Sequence, residues 1–238
     1  MAQLTHLRLD QVSSGYGSRP VIDGVSIDVG SGEVVALIGR NGSGKSTVLK
    51  AAFGLLPVLR GKVTLDGLGI EHENPRARLR RGIAYLPQGR NVFGALTVDE
   101  NLDLSYLSGM DKRAQEAARE RVLGLLPTLR SILWHRAETL SGGQRQLVAL
   151  GRTLSMNPRV LLLDEPSLGM SPSLVSWLLA HIKELSQTMK MAILIVEQRV
   201  HDVLSIADRA YVLRNGAISF SGIAKELTDD VKLQRHFF

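Results

Sequence analysis

The chain contains no cysteine among its 238 residues. That excludes a disulfide framework and a thiolate metal site, and it fits a reducing compartment. Long apolar runs are also missing. The longest, near Val160–Leu163 and Met191–Val196, are strand-sized, well short of the roughly 20 residues that span a bilayer as a helix. The first residues show no charged-then-apolar leader pattern, so a cytosolic location is expected. No internal repeat or low-complexity tract is visible. Charged residues make up only 22% against 44% hydrophobic, which excludes a disordered chain and favours a packed core. The formal net charge is +6 and the pI about 9.8, a balance that suits a nucleic acid or an anionic membrane face. Arg76, Arg78, Arg80 and Arg81 form the densest basic cluster and are expected on a solvated helix face.

The most informative segment is Gly39-Arg40-Asn41-Gly42-Ser43-Gly44-Lys45-Ser46-Thr47, which fits the phosphate-binding P-loop pattern G-x-x-x-x-G-K-[ST]. An apolar, β-rich run, Val34 to Ile38, precedes it, and a helical pattern from Lys45 to Leu55 follows. Glycines let backbone N–H groups close around phosphates, and the helix N-terminus adds the positive end of its dipole. Lys45 can reach the β- and γ-phosphates of a nucleoside triphosphate, and the Ser46 hydroxyl can ligate Mg²⁺.

Strand-like segments recur at Leu7–Leu9, Val25–Val29, Val34–Ile38, Lys62–Leu65, Ile83–Leu86, Val160–Leu163, Ala192–Val196, Ala210–Leu213 and Ala217–Phe220. The later ones alternate with helical patterns, as in βαβ units around a parallel sheet. The earlier ones are short, and Gly30-Ser31-Gly32 and Asp66-Gly67 point to an antiparallel sheet on the N-terminal side. Asn215-Gly216 reads as a hairpin turn. Residues 98–155 lose the strand signal and show helical periodicity, clearest from Asp111 to Leu126, so a helical insertion is expected there. Val160–Leu163 ends in Asp164-Glu165. In open α/β sheets ligands bind beyond the strand C-termini. There Asp164 suits Mg²⁺ held through water, and Glu165 can accept a proton from an attacking water.

Leu140-Ser141-Gly142-Gly143-Gln144-Arg145-Gln146 precedes an amphipathic helix expected over Leu147 to Leu154. It is another small-residue helix N-terminus that can receive phosphate. With a P-loop upstream and a hydrophobic-Asp-Glu strand downstream, the pentapeptide LSGGQ resembles the signature of the ATP-binding-cassette (ABC) ATPases. The resemblance spans about Leu7 to Gly222. It implies an α/β fold: a P-loop NTPase core with a mixed sheet, an N-terminal antiparallel β subdomain and a helical insertion. One domain over 1–238 is expected, with the helical subdomain at about 98–155. It also implies ATP and Mg²⁺ as ligands. Gly39 to Thr47 would hold the phosphates, and Ser46, Gln88 and Asp164 would arrange the metal. Glu165 would serve as base or water-orienting group. Ser141, Gly142, Gly143 and Gln144 would cap the γ-phosphate of ATP held by an opposite subunit in a head-to-tail dimer. Tyr16, in Gly15-Tyr16-Gly17, matches the aromatic that stacks on adenine.

Two positions depart from the family pattern. Leu168-Gly169-Met170-Ser171 stands where many members carry Ser-Ala-Leu-Asp, so Ser171 replaces an acidic residue used to signal between subunits. Gln198 occupies the position of the switch histidine. Glutamine can donate a hydrogen bond to a γ-phosphate oxygen but cannot carry a proton or a positive charge, so a weaker or partner-dependent activity is expected. Tyr85-Leu86-Pro87-Gln88-Gly89-Arg90, Phe93, Leu96-Thr97-Val98-Asp99-Glu100-Asn101-Leu102 and Val196-Glu197-Gln198 look like one branch. That branch is the second ATPase of branched-chain (hydrophobic) amino-acid importers, and urea and short-chain amide importers share it. It implies membrane-spanning permease subunits, a second ABC ATPase and, indirectly, a solute-binding protein as partners. A peripheral position on the cytoplasmic side of the membrane is implied, with no nucleic acid. The segment Asn91 to Leu96 would help form the groove for a permease helix. A soluble ABC ATPase acting on DNA or ribosomes fits the basic pI, but such proteins commonly carry two cassettes or a long coiled coil. A non-enzymatic ATP-gated module is opposed by the intact Lys45, Asp164 and Glu165.

Overall fold

The computed structural model describes residues 6–17, 19–89, 92–104, 109–228 and 233–234. Two sheets form its frame. β1 (His6–Tyr16), β2 (Arg19–Gly30), β4 (Val58–Leu65) and β5 (Leu68–Gly69) make an antiparallel sheet in the order β2-β1-β4-β5. The second sheet is six-stranded and mixed, in the order β10-β9-β3-β8-β7-β6. Its members are β3 (Val34–Ile38), β6 (Ile83–Leu86), β7 (Val160–Asp164), β8 (Ala192–Val196), β9 (Arg209–Arg214) and β10 (Ala217–Ile223). All neighbours are parallel except β9 and β10.

The central strands read as unbroken apolar runs because both faces of this sheet are covered. Val35, Leu37, Leu162, Leu194 and Val196 pack with α1 (Lys45–Phe53) and the antiparallel sheet. Their neighbours Val34, Ala36, Ile38, Leu161, Leu163, Ile193 and Ile195 pack with α5 (Gly142–Ser155), α6 (Pro172–Met189) and α7 (Val200–Ile206). Each fully buried Leu or Ile here contributes about 1.5–3 kcal/mol. Asp66-Gly67 and Asn215-Gly216 close the β4–β5 and β9–β10 hairpins. Gly30-Ser31-Gly32 differs: it carries the chain out of the antiparallel sheet into β3 of the other sheet.

The described residues between 98 and 155 are mainly helical. They contain α3 (Val98–Asp103), α4 (Lys112–Leu125) and α5, with 3₁₀ turns at Pro127–Ile132 and Ala137–Thr139. Asp111 caps α4 by accepting the Ala114 N–H at 2.8 Å. The N-terminal strands β1 and β2 run to 11 and 12 residues where the sequence predicts short segments at Leu7–Leu9 and Val25–Val29, because the two pair along nearly their whole length. Two helix boundaries also shift. α1 stops at Phe53 rather than Leu55, because Gly54 turns left-handed (φ 84°) and caps it. α5 starts at Gly142 rather than Leu147, because Ser141 and Gln144 form a reciprocal capping box.

The arginine cluster is a sharper correction. Arg76, Arg80 and Arg81 are exposed, but Arg78, on α2 (Pro75–Arg80), is fully buried. Its guanidinium donates to Ala51 O at 2.7 Å and Ala52 O at 2.8 Å, and to Glu71 O and Glu73 O at 3.1 Å each. A helix leaves its last carbonyls unpaired and carries partial negative charge there. Arg78 meets that need at the C-terminal end of the P-loop helix.

Candidate nucleotide site

β3, β8, β7 and β6 lie side by side and parallel, so their C-terminal ends share one edge. The register aligns Leu37 with Val196, Val196 with Asp164, and Leu163 with Leu86. The residues that follow these rungs therefore emerge together. They are the P-loop after β3, Gln198 after β8, Glu165 after β7 and Gln88 after β6. A cleft of about 350 Å³ opens there, lined by Val21, Gly42, Lys45, Ser46, Gln88, Glu165 and Gln198 among others.

The P-loop closes tightly on its neighbours. Gly44 precedes α1 with φ 106°, and a Cβ there would lie 2.7 Å from Ile22 Cγ2, so only glycine fits. Ser43 N–H donates to Arg40 O at 3.1 Å. Lys45 is buried and its ammonium donates to Gly39 O at 2.8 Å and Arg40 O at 3.0 Å. Burial lowers its pKa, opposed by the negative charges of Glu165 and Asp164. Ser46 Oγ donates to Asp164 Oδ1 at 3.0 Å, and Tyr85 OH donates to Oδ2 at 3.1 Å. Burial raises the pKa of Asp164, which these two hydrogen bonds oppose. Burial also raises the Tyr85 phenol, with Asp164 adding to the effect. Glu165 adopts φ 51°, and its Oε2 accepts from Gln88 Nε2 at 2.5 Å and Gln198 Nε2 at 2.9 Å. Two carboxamides thus aim their N–H groups at one carboxylate oxygen across the cleft.

The LSGGQ segment is not part of this cleft. Ser141 Oγ accepts the Gln144 N–H at 3.2 Å, and Gln144 Oε1 accepts the Ser141 N–H at 2.9 Å. A Cβ on Gly143 would lie 2.8 Å from Leu174 Cδ2, so α5 and α6 meet closely at this point. Ser141 and Gln144 border a separate hollow with Thr128, Leu147, Leu174 and Trp177.

Residues 22–168 match the family model described as ABC transporter. The chain is 39% identical to a probable branched-chain amino acid transport ATP-binding protein, LivF, of Archaeoglobus fulgidus, over 96% of this chain and 97% of that one. It belongs to the ABC transporter family. It is also 38% identical to the high-affinity branched-chain amino acid transport ATP-binding protein BraG of Pseudomonas aeruginosa, over 96% and 97% of the two chains. The fold matches the ADP conformation of an ATP-binding cassette of an ABC transporter with a TM-score of 0.86 at 30% identity, covering 98% of each chain. The protein is therefore an ABC ATPase, and its cassette binds nucleotide. Among the described residues no helix is long and apolar enough to cross a membrane.

The residues of this ABC ATPase fit a magnesium-bound triphosphate. Among the described residues Ser43 Oγ is buried with no hydrogen-bond partner, and the space beside Gly42 Cα is open. Among the described residues no cluster of three or more His, Asp or Glu could hold a metal. The Ser46, Gln88 and Asp164 set has one carboxylate, and Mg²⁺ sites of that kind are completed by phosphates and water. Tyr16 does not line the cleft; it is exposed, and its hydroxyl accepts from Lys50 Nζ at 3.0 Å. Ser171 sits at the start of α6, with its Oγ 3.3 Å from Ser173 Oγ. Arg90 and Asn91 lie outside the described residues.

Three side chains assigned no role of their own from sequence matter here: Tyr85, Asn101 and Glu197. Asn101 is buried in α3, and its amide accepts the Phe93 N–H at 2.9 Å and donates to Thr97 O at 2.8 Å. This pins the loop below Phe93, which is exposed and stacks on the Arg152 guanidinium. Near it, Val92, Gly94, Glu138 and Arg145 line a hollow of about 370 Å³. An asparagine among the apolar positions of an otherwise amphipathic helix is the one signal that could have flagged Asn101.

Proposed function

We propose that this chain is the ATP-hydrolysing subunit of an importer for branched-chain or other hydrophobic amino acids, acting as one domain on the cytoplasmic face of the membrane. The observation that carries the hydrolytic part is the convergence of Lys45, Gln88, Gln198 and Glu165 on one cleft. The names of the LivF and BraG relatives support the solute. In this reading the P-loop N–H groups and Lys45 hold the phosphates inside the cleft, and Tyr16, exposed outside it, meets the adenine. Ser46, Gln88 and Asp164 hold Mg²⁺, which neutralises charge on the phosphate oxygens when bound. Glu165 orients the attacking water and takes its proton. Gln88 and Gln198 hold the Glu165 carboxylate, and Gln198 also senses the γ-phosphate. Catalysis is then mainly positioning and charge stabilisation.

Because Ser141 to Gln144 stand outside the chain's own cleft, they are assigned to the ATP of a second ATPase subunit. The hollow beside Phe93 is assigned to a permease helix, and contact with a solute-binding protein is indirect. No nucleic acid is involved. The test is reconstitution with the candidate permease pair and binding protein in vesicles. ATP-driven uptake of leucine or isoleucine is expected. Uptake of urea or short amides instead would replace the solute assignment. ATP hydrolysis that no permease stimulates would refute the transporter role.

A further inference from the structure

The ladder between β7 and β8 ends where Glu165 N–H donates to Val196 O at 2.9 Å. Beyond that rung the strands part, since Glu165 turns left-handed and Pro166 follows. The next N–H on this side, from Ser167, finds no strand carbonyl. It donates instead to Oε1 of Glu197 at 2.9 Å, while Oε2 of the same carboxylate is 3.3 Å from the Gln198 N–H. Glu197 is only 3% exposed, and Ser167 is buried beside it. A buried carboxylate is costly unless its oxygens are satisfied, and a leucine here would simply extend the apolar run of β8. The carboxylate is therefore spent on joining two backbone segments, the turn after Glu165 and the start of the segment bearing Gln198.

We infer that Glu197 is a positioning residue for Gln198, setting how the Gln198 amide enters the cleft. The inference rests on reading Gln198 as the γ-phosphate sensor. A histidine at that position has few rotamers, whereas glutamine has three rotatable bonds and loses more freedom when held in one pose. A glutamine therefore needs a backbone that does not move beneath it. Glu197 supplies this from one side, while the contact of Gln198 Nε2 with Glu165 Oε2 at 2.9 Å closes the loop from the other.

The test uses the full chain and compares ATP with ADP affinity by displacement of a fluorescent nucleotide, alongside melting temperature. Only ATP carries the γ-phosphate, so a misplaced Gln198 weakens ATP and spares ADP. Glu197→Ala is expected to lower the ATP/ADP affinity ratio about tenfold, as loss of a charge-assisted hydrogen bond does. Glu197→Gln, whose amide oxygen can still accept the Ser167 N–H, is expected to stay near wild type. Glu197→Leu, which keeps the volume, serves if the alanine variant does not fold, and should match the expected alanine result. In a Gln198→Ala background, Glu197→Ala should lower the ratio no further, since both changes act through one side chain. Equal loss of ATP and ADP affinity, or additive losses in the double variant, would overturn the inference. A wild-type ratio in Gln198→Ala would instead remove the sensor reading itself. A shifted ratio in Gln198→Ala with none in Glu197→Ala or Glu197→Leu would remove only the role of Glu197.

Discussion

Glu165→Gln separates chemistry from architecture at this site. The wild-type Oε2 accepts two amide N–H groups, from Gln88 at 2.5 Å and Gln198 at 2.9 Å. A glutamine carbonyl oxygen can occupy the same place and accept both. The backbone bond from residue 165 to Val196 O does not involve the side chain. The structural cost should therefore stay below about 1 kcal/mol, and nucleotide affinity should be retained. The carboxamide cannot take a proton from water, and removing a general base costs about 10²–10⁴-fold, or roughly 3–5 kcal/mol of barrier. Steady-state phosphate release at saturating Mg-ATP measures the chemistry. Thermal melting and fluorescent-nucleotide titration measure the architecture. An ATP-dependent dimer should accumulate, visible by light scattering. Turnover within about threefold of wild type, a change of under 1 kcal/mol in barrier, would remove Glu165 from the mechanism. A large drop in melting temperature would show that the two amides discriminate charge structurally.

Lys45→Ala should weaken nucleotide binding itself by at least about tenfold, because it removes a charge-assisted phosphate contact; unchanged affinity in a nucleotide titration would contradict the P-loop assignment. Arg78→Met takes the guanidinium from four backbone carbonyls, Ala51 O and Ala52 O at the end of α1 among them. Ala51 O keeps the Gly54 N–H. At about 1–3 kcal/mol for each buried acceptor left unpaired, the loss is about 3 kcal/mol, which lowers the melting temperature by roughly 10 °C in a chain of this size. The exposed Arg80→Met is the control and should melt with wild type, and equal melting of both variants would return Arg78 to the surface. Phe93→Ala should leave melting nearly unchanged, since the ring is exposed, yet lower transport per ATP hydrolysed in reconstituted vesicles. Early melting, or normal coupling, would mean that the ring only packs on Arg152.

The P-loop, the Asp164-Glu165 strand end and LSGGQ were legible in the sequence because their chemistry is local. Each needs particular residues at fixed spacing around one strand end or one helix start, and neighbouring residues alone enforce that geometry. The order of strands in the mixed sheet is not local, and register across β3, β8, β7 and β6 decided which residues meet. It placed Gln88 and Gln198 on the same oxygen of Glu165, residues separated by long stretches of chain. Charge pattern misled at Arg78, because a run of arginines looks solvated until α2 packs onto the carbonyl end of α1 and gives one of them partners. Glu197 was hidden for the converse reason: a lone carboxylate after an apolar strand gives no sign of burial until the turn after β7 brings the Ser167 N–H to it. The separation of Ser141–Gln144 from the chain's own cleft was likewise decided by tertiary packing, because the close approach of α5 and α6 at Gly143, not the pentapeptide, fixes where that helix end lies.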